Sequence, residues 1–279
     1  IGAITYVLIN IEDFWGYFRV KEGTAKLENT QMQMLGGILQ LSGTYDSRNI
    51  KRPEINFGMD IREFTIPETY STFNTFKKLA PIAKYLSGSF SSSLEIAGAL
   101  DHYLEPDLAT FKGNGSLQSE AIQVENAPMF EKIASATGAD RFKNPVLKDV
   151  NASFEVVDGR VFLESKTMKM GGQEFVVAGS QGLDQTMDYT IQTDIPRSAL
   201  GSNANNLMNN LASKAGFDIS GKQEIPLNIS VEGKAQDPEI GVNFAESGKS
   251  AKEQVEDKVK EQLQKEKEKA KEKAKDELK

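Results

Sequence analysis

The chain has 279 residues, 39% hydrophobic and 26% charged, with formal charge −7, no cysteine and a single histidine, His102. Zero cysteine excludes disulfide scaffolds, thiolate zinc sites, iron–sulfur clusters and cysteine nucleophiles, and one histidine excludes His-paired metal sites. The acidic balance argues against a nucleic-acid-binding body, so a binding surface or scaffold leads over catalysis, and no cofactor is expected.

In chain order, period-two alternation dominates. The aromatic group Phe14, Trp15, Tyr17 and Phe18 is expected to pack in a core, ahead of the alternative of an aromatic membrane contact. Ile55, Phe57, Met59 and Ile61 alternate with polar residues or glycine over 54–63, as do Leu94, Ile96 and Leu100 around 90–100. Residues 68–86 place Phe73, Phe76, Leu79, Ala83 and Leu86 on a helical stripe, with a kink expected near Pro81. Residues 128–138 predict a short helix opening at Pro128 and ending at Gly138.

Val150, Ala152, Phe154 and Val156 then alternate up to Asp158-Gly159, a strong hairpin signal, and Gly171-Gly172 is another. With Met187, Tyr189 and Ile191 alternating further on, 149–193 predicts a four-strand meander. A helix over 197–216, carrying Leu200, Leu207, Leu211 and Ala215, precedes the alternating run Ile225, Leu227, Ile229, Val231. About thirteen strands emerge in all, ~60 Å of sheet at ~4.8 Å per strand, too wide to stay flat. The expected fold is mainly β with a few short helices: a large curved antiparallel sheet forming an apolar groove, and a helical C-terminal tail.

The charge divides the chain at about residue 247. Residues 249–279 hold 11 Lys and 9 acidic residues, leaving 22 basic and 31 acidic residues in 1–248. The tail, 247–279, carries favourable pairs such as Glu256–Lys260, Glu261–Lys265 and Glu266–Lys269 and few apolar residues, which predicts a solvated single helix with frayed ends, or partial disorder, over a coiled coil. The body, 1–246, forms the other unit.

Isolated chemical motifs read blandly. His102 beside Asp101 has no evident nucleophile, and 113-GNGSLQ-118 lacks the third glycine of a dinucleotide loop. Asp184 and Asp188 fall on the polar side of their strand. The distributed feature is stronger: many strands share an apolar face that three short helices cannot cover. Such a face suits an acyl chain, since each buried CH₂ is worth ~0.8 kcal/mol. Phe57, Met59, Ile61, Leu94, Ile96, Phe154, Val156, Met187, Tyr189 and Ile191 are the expected lining.

The segments 88–134, 149–165 and 179–196, with "PDLATFKGNG", the hairpin "FEVVDGRV" and the strand "GSQGLDQTMDY", resemble the C-terminal region of AsmA-family proteins. The late run 233-GKAQDPEIGV-242 fits that family's closing strand, and 87–245 is the best-matching region. The resemblance implies a non-enzymatic bacterial envelope protein of the Gram-negative periplasm, tethered to the inner membrane by a segment upstream of Ile1. It implies a part in outer-membrane assembly, with a phospholipid or other acyl lipid moved along a β-sheet groove. It supplies no catalytic residues. Two other readings stay open: an envelope scaffold with a packed β-sandwich whose tail docks on a partner protein, and a hydrolase using His102.

Overall fold

In the computed structural model, residues 4–6, 9–170, 172–182, 184–200, 202–244, 257 and 260–269 are described. Thirteen strands form one antiparallel sheet in strict chain order. They are β1 Ile4–Tyr6, β2 Ile9–Lys21, β3 Thr24–Met34, β4 Gly37–Asp46, β5 Glu54–Thr65, β6 Leu86–Ala99 and β7 Lys112–Val124. The second half adds β8 Val146–Val157, β9 Arg160–Met170, β10 Gln173–Gly182, β11 Thr186–Pro196, β12 Glu224–Lys234 and β13 Asp237–Phe244. The strands belong to one sheet, where a sandwich would need two.

Tight hairpins follow from local chemistry. Asp158-Gly159 joins β8 to β9 with φ of 45° and 74°, the type I′ conformation whose twist matches the strands it connects. Glu22-Gly23 and Leu35-Gly36 make the same turn between β2 and β3 and between β3 and β4. Gly171 lies outside the described residues, but Met170 pairs with Gln173, so two residues connect β9 to β10 as expected.

Among the described residues, the α-helices between strands lie in connections that follow odd-numbered strands, so they gather at one end of the sheet. Between β5 and β6 lie α1 Ile66–Thr72, α2 Asn74–Leu79 and a 3₁₀ turn, Pro81–Tyr85. The single kinked helix expected over 68–86 is therefore three short pieces. Phe73 is extended and separates the first two, Ala80 leaves helical geometry before Pro81, and Leu86 already belongs to β6. The apolar stripe survives the breaks: Phe73, Phe76, Ala83 and Leu86 pack with Phe64, Ile66 and Phe90, while the side chain of Leu79 is outside the described set.

Between β7 and β8 lies α3 Pro128–Thr137, closed by left-handed Gly138 as expected. Between β11 and β12 lies α4 Ser202–Ala215, where a 3₁₀ turn at Arg197–Ala199 replaces the start of the helix expected from 197. Leu207 and Ala215 lie in α4, but their side chains are outside the described set.

Helix α3 shows how the sheet curls. It follows β7 in sequence, yet Lys132 donates to Asp237 Oδ1 (2.5 Å) and to Pro238 O (2.7 Å) on β13. Flat, β8 and β13 would stand ~24 Å apart, more than twice the ~10 Å width of a helix. The second half of the sheet must wrap around α3 and α4. That enclosure buries Ile225, Leu227, Ile229 and Val231 of β12 completely.

Bulges supply curvature in the first half. Asp13, Asn29 and Glu63 take left-handed φ of 49–55° where the register slips. At Glu63 the register slips, so Ile61 and Phe64 both face the core. The bulge amides are not orphaned: the amide of Glu63 donates to Ser91 Oγ (3.1 Å) and that of Asn29 to Ser42 Oγ (3.1 Å).

This asymmetry between a wrapped half and an open half is measurable. Ile229→Ala is expected to cost ~3 kcal/mol in chemical denaturation, as for a fully buried side chain, and Leu94→Ala less than about half of that. Equal losses would mean that the first half is as tightly enclosed as the second.

Candidate functional site

The register gathers all ten expected lining residues on one face, in three adjacent cross-strand rows. The central row runs unbroken from β4 to β13: Leu41, Met59, Leu94, Gly115, Phe154, Leu163, Gly179, Tyr189, Val231, Ile240. Beside it, Phe57 faces Ile96, and Gly113, Val156 and Val161 continue towards Met187. On the other side stand Ile61 and Ile191.

These residues are not equally covered. Ile61 packs in the cluster under α1 and α2, while Met187 and Ile191 belong to the cluster enclosed with α3 and α4. Phe57, Met59, Leu94, Ile96, Phe154 and Val156 form a third cluster with Tyr45, Ile55, Leu100, Phe111 and Val161, to which no helix contributes. Within it only Ile96, Leu100, Phe111 and Val156 are buried; Phe57, Met59, Leu94 and Phe154 are half-exposed. The row of Met59 is half-buried from Leu41 to Leu163 and closes fully at Val231. The exposed apolar surface is thus the part of the face beyond the reach of the helices.

Glycines shape this surface. Gly43, Gly115 and Gly179 each lie under an aromatic ring on the neighbouring strand, from Phe57, Phe154 and Tyr189 respectively, and Gly98 lies under Phe111, just before β7. A Cβ at any of the four would overlap that ring. The rings therefore lie flat against the backbone, covering the glycines and presenting smooth apolar surface. Alternation in the sequence locates the aromatic residues, whereas their pairing with glycines requires the register.

The reverse face carries the tail. Residues 260–269 are helical, and Gln262 donates to Asp188 while Lys267 Nζ lies 2.8 Å from Glu155. Glu155, Phe162, Ser180 and Asp188 form one row across β8–β11 on the side opposite Phe154 and Tyr189. Phe162, Ala178, Ser180, Thr190 and Gln192 are buried on this nominally polar face. A wholly solvated helix does not describe 260–269: Gln262 and Lys267 attach it to the sheet, while Glu261–Lys265 and Glu266–Lys269 pair along the helix. The expected Glu256–Lys260 pair involves Glu256, outside the described residues.

The aromatic residues of β2 also depart from expectation. Only Phe14 packs inward, while Trp15, Tyr17 and Phe18 are more than half exposed. Beyond Ile11, β2 has no described neighbour on its outer side.

No catalytic grouping forms around the motifs. His102 is exposed with its ring against Tyr103. Asp101, which would have to orient it, spends Oδ1 on the amides of Tyr103 (2.8 Å) and Glu105 (2.9 Å). Asp184 caps its own turn; bonds from the Thr186 hydroxyl and amide hold its carboxyl below the usual range. Its expected companion Asp188 bonds Gln262 instead. Among the described residues no group of three or more acidic or histidine side chains is placed to hold a metal, and no helix is long and apolar enough to cross a membrane. A concavity of about 900 Å³ lies beside Arg197, Phe217 and Ile219, away from the apolar rows.

Comparisons with protein-family models, with curated proteins and with solved structures find no match.

Tyr189 reports on the apolar face directly. Burial pushes its phenol from 10.0 up to about 12. The folded state therefore favours the neutral phenol, a contribution intact below pH 10 and lost as pH rises towards 12. Tyr189→Phe should show a shallower loss of stability than the wild type between pH 10 and 12 in denaturant melts. Identical slopes would mean that Tyr189 titrates alike in the folded and unfolded chain.

Proposed function

We propose that the half-open face around Phe57, Met59, Leu94 and Phe154 binds the acyl chains of a phospholipid or similar lipid. The carrying observation is the register: apolar rows continue from β4 to β13, while the cluster on β4–β9 holds no helical residue. Exposed contiguous apolar surface is costly in water unless something occupies it. A sixteen-carbon chain moved out of water is worth ~12 kcal/mol, so even partial coverage contributes appreciably. The flat rings over Gly43 and Gly115 suit a flexible chain, which needs smooth contact rather than polar partners.

In this reading the protein is a non-enzymatic envelope component of the AsmA type, acting in the periplasm and supporting outer-membrane assembly. A segment upstream of Ile1 would hold it at the inner membrane. The sequence resemblance supports that assignment, and the single long curled sheet is compatible with it. The reverse-face contacts of Gln262 and Lys267 favour the tail as part of this body over the tail as a partner-docking arm.

Lipid extraction and mass spectrometry of the purified chain provide the test. Acyl lipid is expected to co-purify with the wild type and to be lost from Met59→Asp and Phe154→Asp. Both variants should keep a cooperative thermal transition, because both side chains are already half-exposed. Absence of lipid from the wild type, combined with unfolding of both variants, would reassign the face to ordinary core.

A further inference from the structure

Two neighbouring connections at the end of the sheet opposite α1 to α4 hold apolar side chains out in water. Ile50, between β4 and β5, is 78% exposed, and Tyr103 and Leu104, between β6 and β7, are 75% and 57% exposed. Single exposed apolar residues are ordinary, but these three crown two adjacent turns. The amide of Arg52 donates to Asn49 O (3.1 Å) across Ile50 and Lys51, and that of Leu104 donates to Asp101 O (3.0 Å) across His102 and Tyr103. The amide of Leu100 donates to Pro53 O (2.7 Å), which ties one connection to the other. The backbone of each turn is thus fixed, and the apolar side chains stay at its crest.

These tips stand at one end of the open apolar face. Behind them Leu100 and Phe111 are buried, and Tyr45 and Ile55 lead on to Phe57 and Ile96, then to Met59 and Leu94. The tight turns further along the same end, Asp158-Gly159 and Ala235-Gln236, expose no apolar side chain of this size.

We infer that the two tips dock the protein on a lipid bilayer, with Ile50, Tyr103 and Leu104 inserted among the headgroups and the upper acyl chains. Shape favours a bilayer over a protein partner. A stable protein interface covers ~800 Å² of each partner with matched, packed surface, which two projecting turns do not offer, whereas a fluid interface closes around any projection. The chemistry agrees. A tyrosine has an apolar ring and a polar tip, suited to the boundary between headgroups and hydrocarbon. Lys51 and Arg52 are exposed beside Ile50, and their long stems let the charges stay among the headgroups as Ile50 enters. Arg48, Lys51 and Arg52 on one tip are matched in charge by Asp101, Glu105 and Asp107 on the other. Attachment therefore depends on apolar insertion rather than on headgroup charge. Docking goes beyond the lipid-binding reading and does not rest on it, although a docked tip sets bilayer hydrocarbon at the end of the open face.

Flotation with phosphatidylcholine vesicles tests this. The wild-type chain is expected to float, and added phosphatidylglycerol or salt should change the bound fraction less than about twofold. Combining Ile50→Ser, Tyr103→Ser and Leu104→Ser should weaken binding about a hundredfold, with an unchanged far-ultraviolet spectrum. Because the chain has no native cysteine, a polarity-sensitive dye can be placed at one site. On Ile50→Cys its emission should shift to the blue with vesicles; on Val146→Cys, 37% exposed at the opposite end of the sheet, it should not. A wild type that stays unbound, binding only to vesicles containing phosphatidylglycerol, undiminished flotation of the triple variant, or equal dye shifts at the two sites overturns docking. Flotation of a wild type that carries no co-purified lipid supports docking while counting against lipid on the open face, so the two readings fail separately.

Discussion

Everything in this molecule follows from one mismatch: a thirteen-stranded sheet presents an apolar face larger than its few short helices can cover. Because the thirteen strands form one sheet, no second sheet is present to cover that face. The remaining solutions are to curl, to accept helices in the connections, or to leave apolar surface half-exposed. The protein uses all three, in different places. Curling and helices enclose β12, where Ile225, Leu227, Ile229 and Val231 lose all contact with solvent. The half-exposed remainder is the cluster around Phe57, Leu94 and Phe154.

Topology decides which part stays open. In a sequential antiparallel sheet, connections after odd-numbered strands emerge at one end, and α1 to α4 all occupy such connections. At the opposite end the links are tight turns such as Asp158-Gly159 or loops with at most a 3₁₀ turn, Leu108–Thr110. Side chains near that end, Tyr45 and Ile55 among them, have only one another for cover. The open surface is therefore a consequence of chain connectivity, and substitutions within the cluster can change its chemistry without closing it.

Much of this was legible in the sequence, and the physical reason is that a half-buried strand writes its face in alternation. Phe57, Met59, Leu94, Phe154 and Tyr189 could be assigned to a face one strand at a time, and Asp158-Gly159 and Gly138 announced their turn and cap. The registers that join those strands into rows were not legible, because a bulge such as the one at Glu63 falls on a residue with no special preference for left-handed backbone. Glu63 is the clearest case. Its left-handed backbone is supported by Ser89 and Ser91 on the neighbouring strand, a contact between residues 26 and 28 positions apart. The break at Phe73 was hidden for a related reason: the apolar spacing persists through it, since all three pieces cover the same cluster.

The two places where sequence expectation failed outright share a cause. Trp15, Tyr17 and Phe18 look like core residues because aromatic side chains usually are, and the tail looks solvated because paired lysines and glutamates usually are. Both inferences treat burial as a property of composition, whereas here it depends on position in the sheet. Trp15, Tyr17 and Phe18 stand on a stretch of β2 with no described neighbour on its outer side, and they are exposed whatever their hydrophobicity. A lysine opposite Glu155 on a neighbouring face becomes an attachment point. The same logic explains why Phe162, on the nominally polar side, is buried while Phe57, on the apolar side, is half-exposed. In a single curled sheet, apolar character marks a face, and the position of neighbouring elements determines whether that face becomes core, interface or open surface.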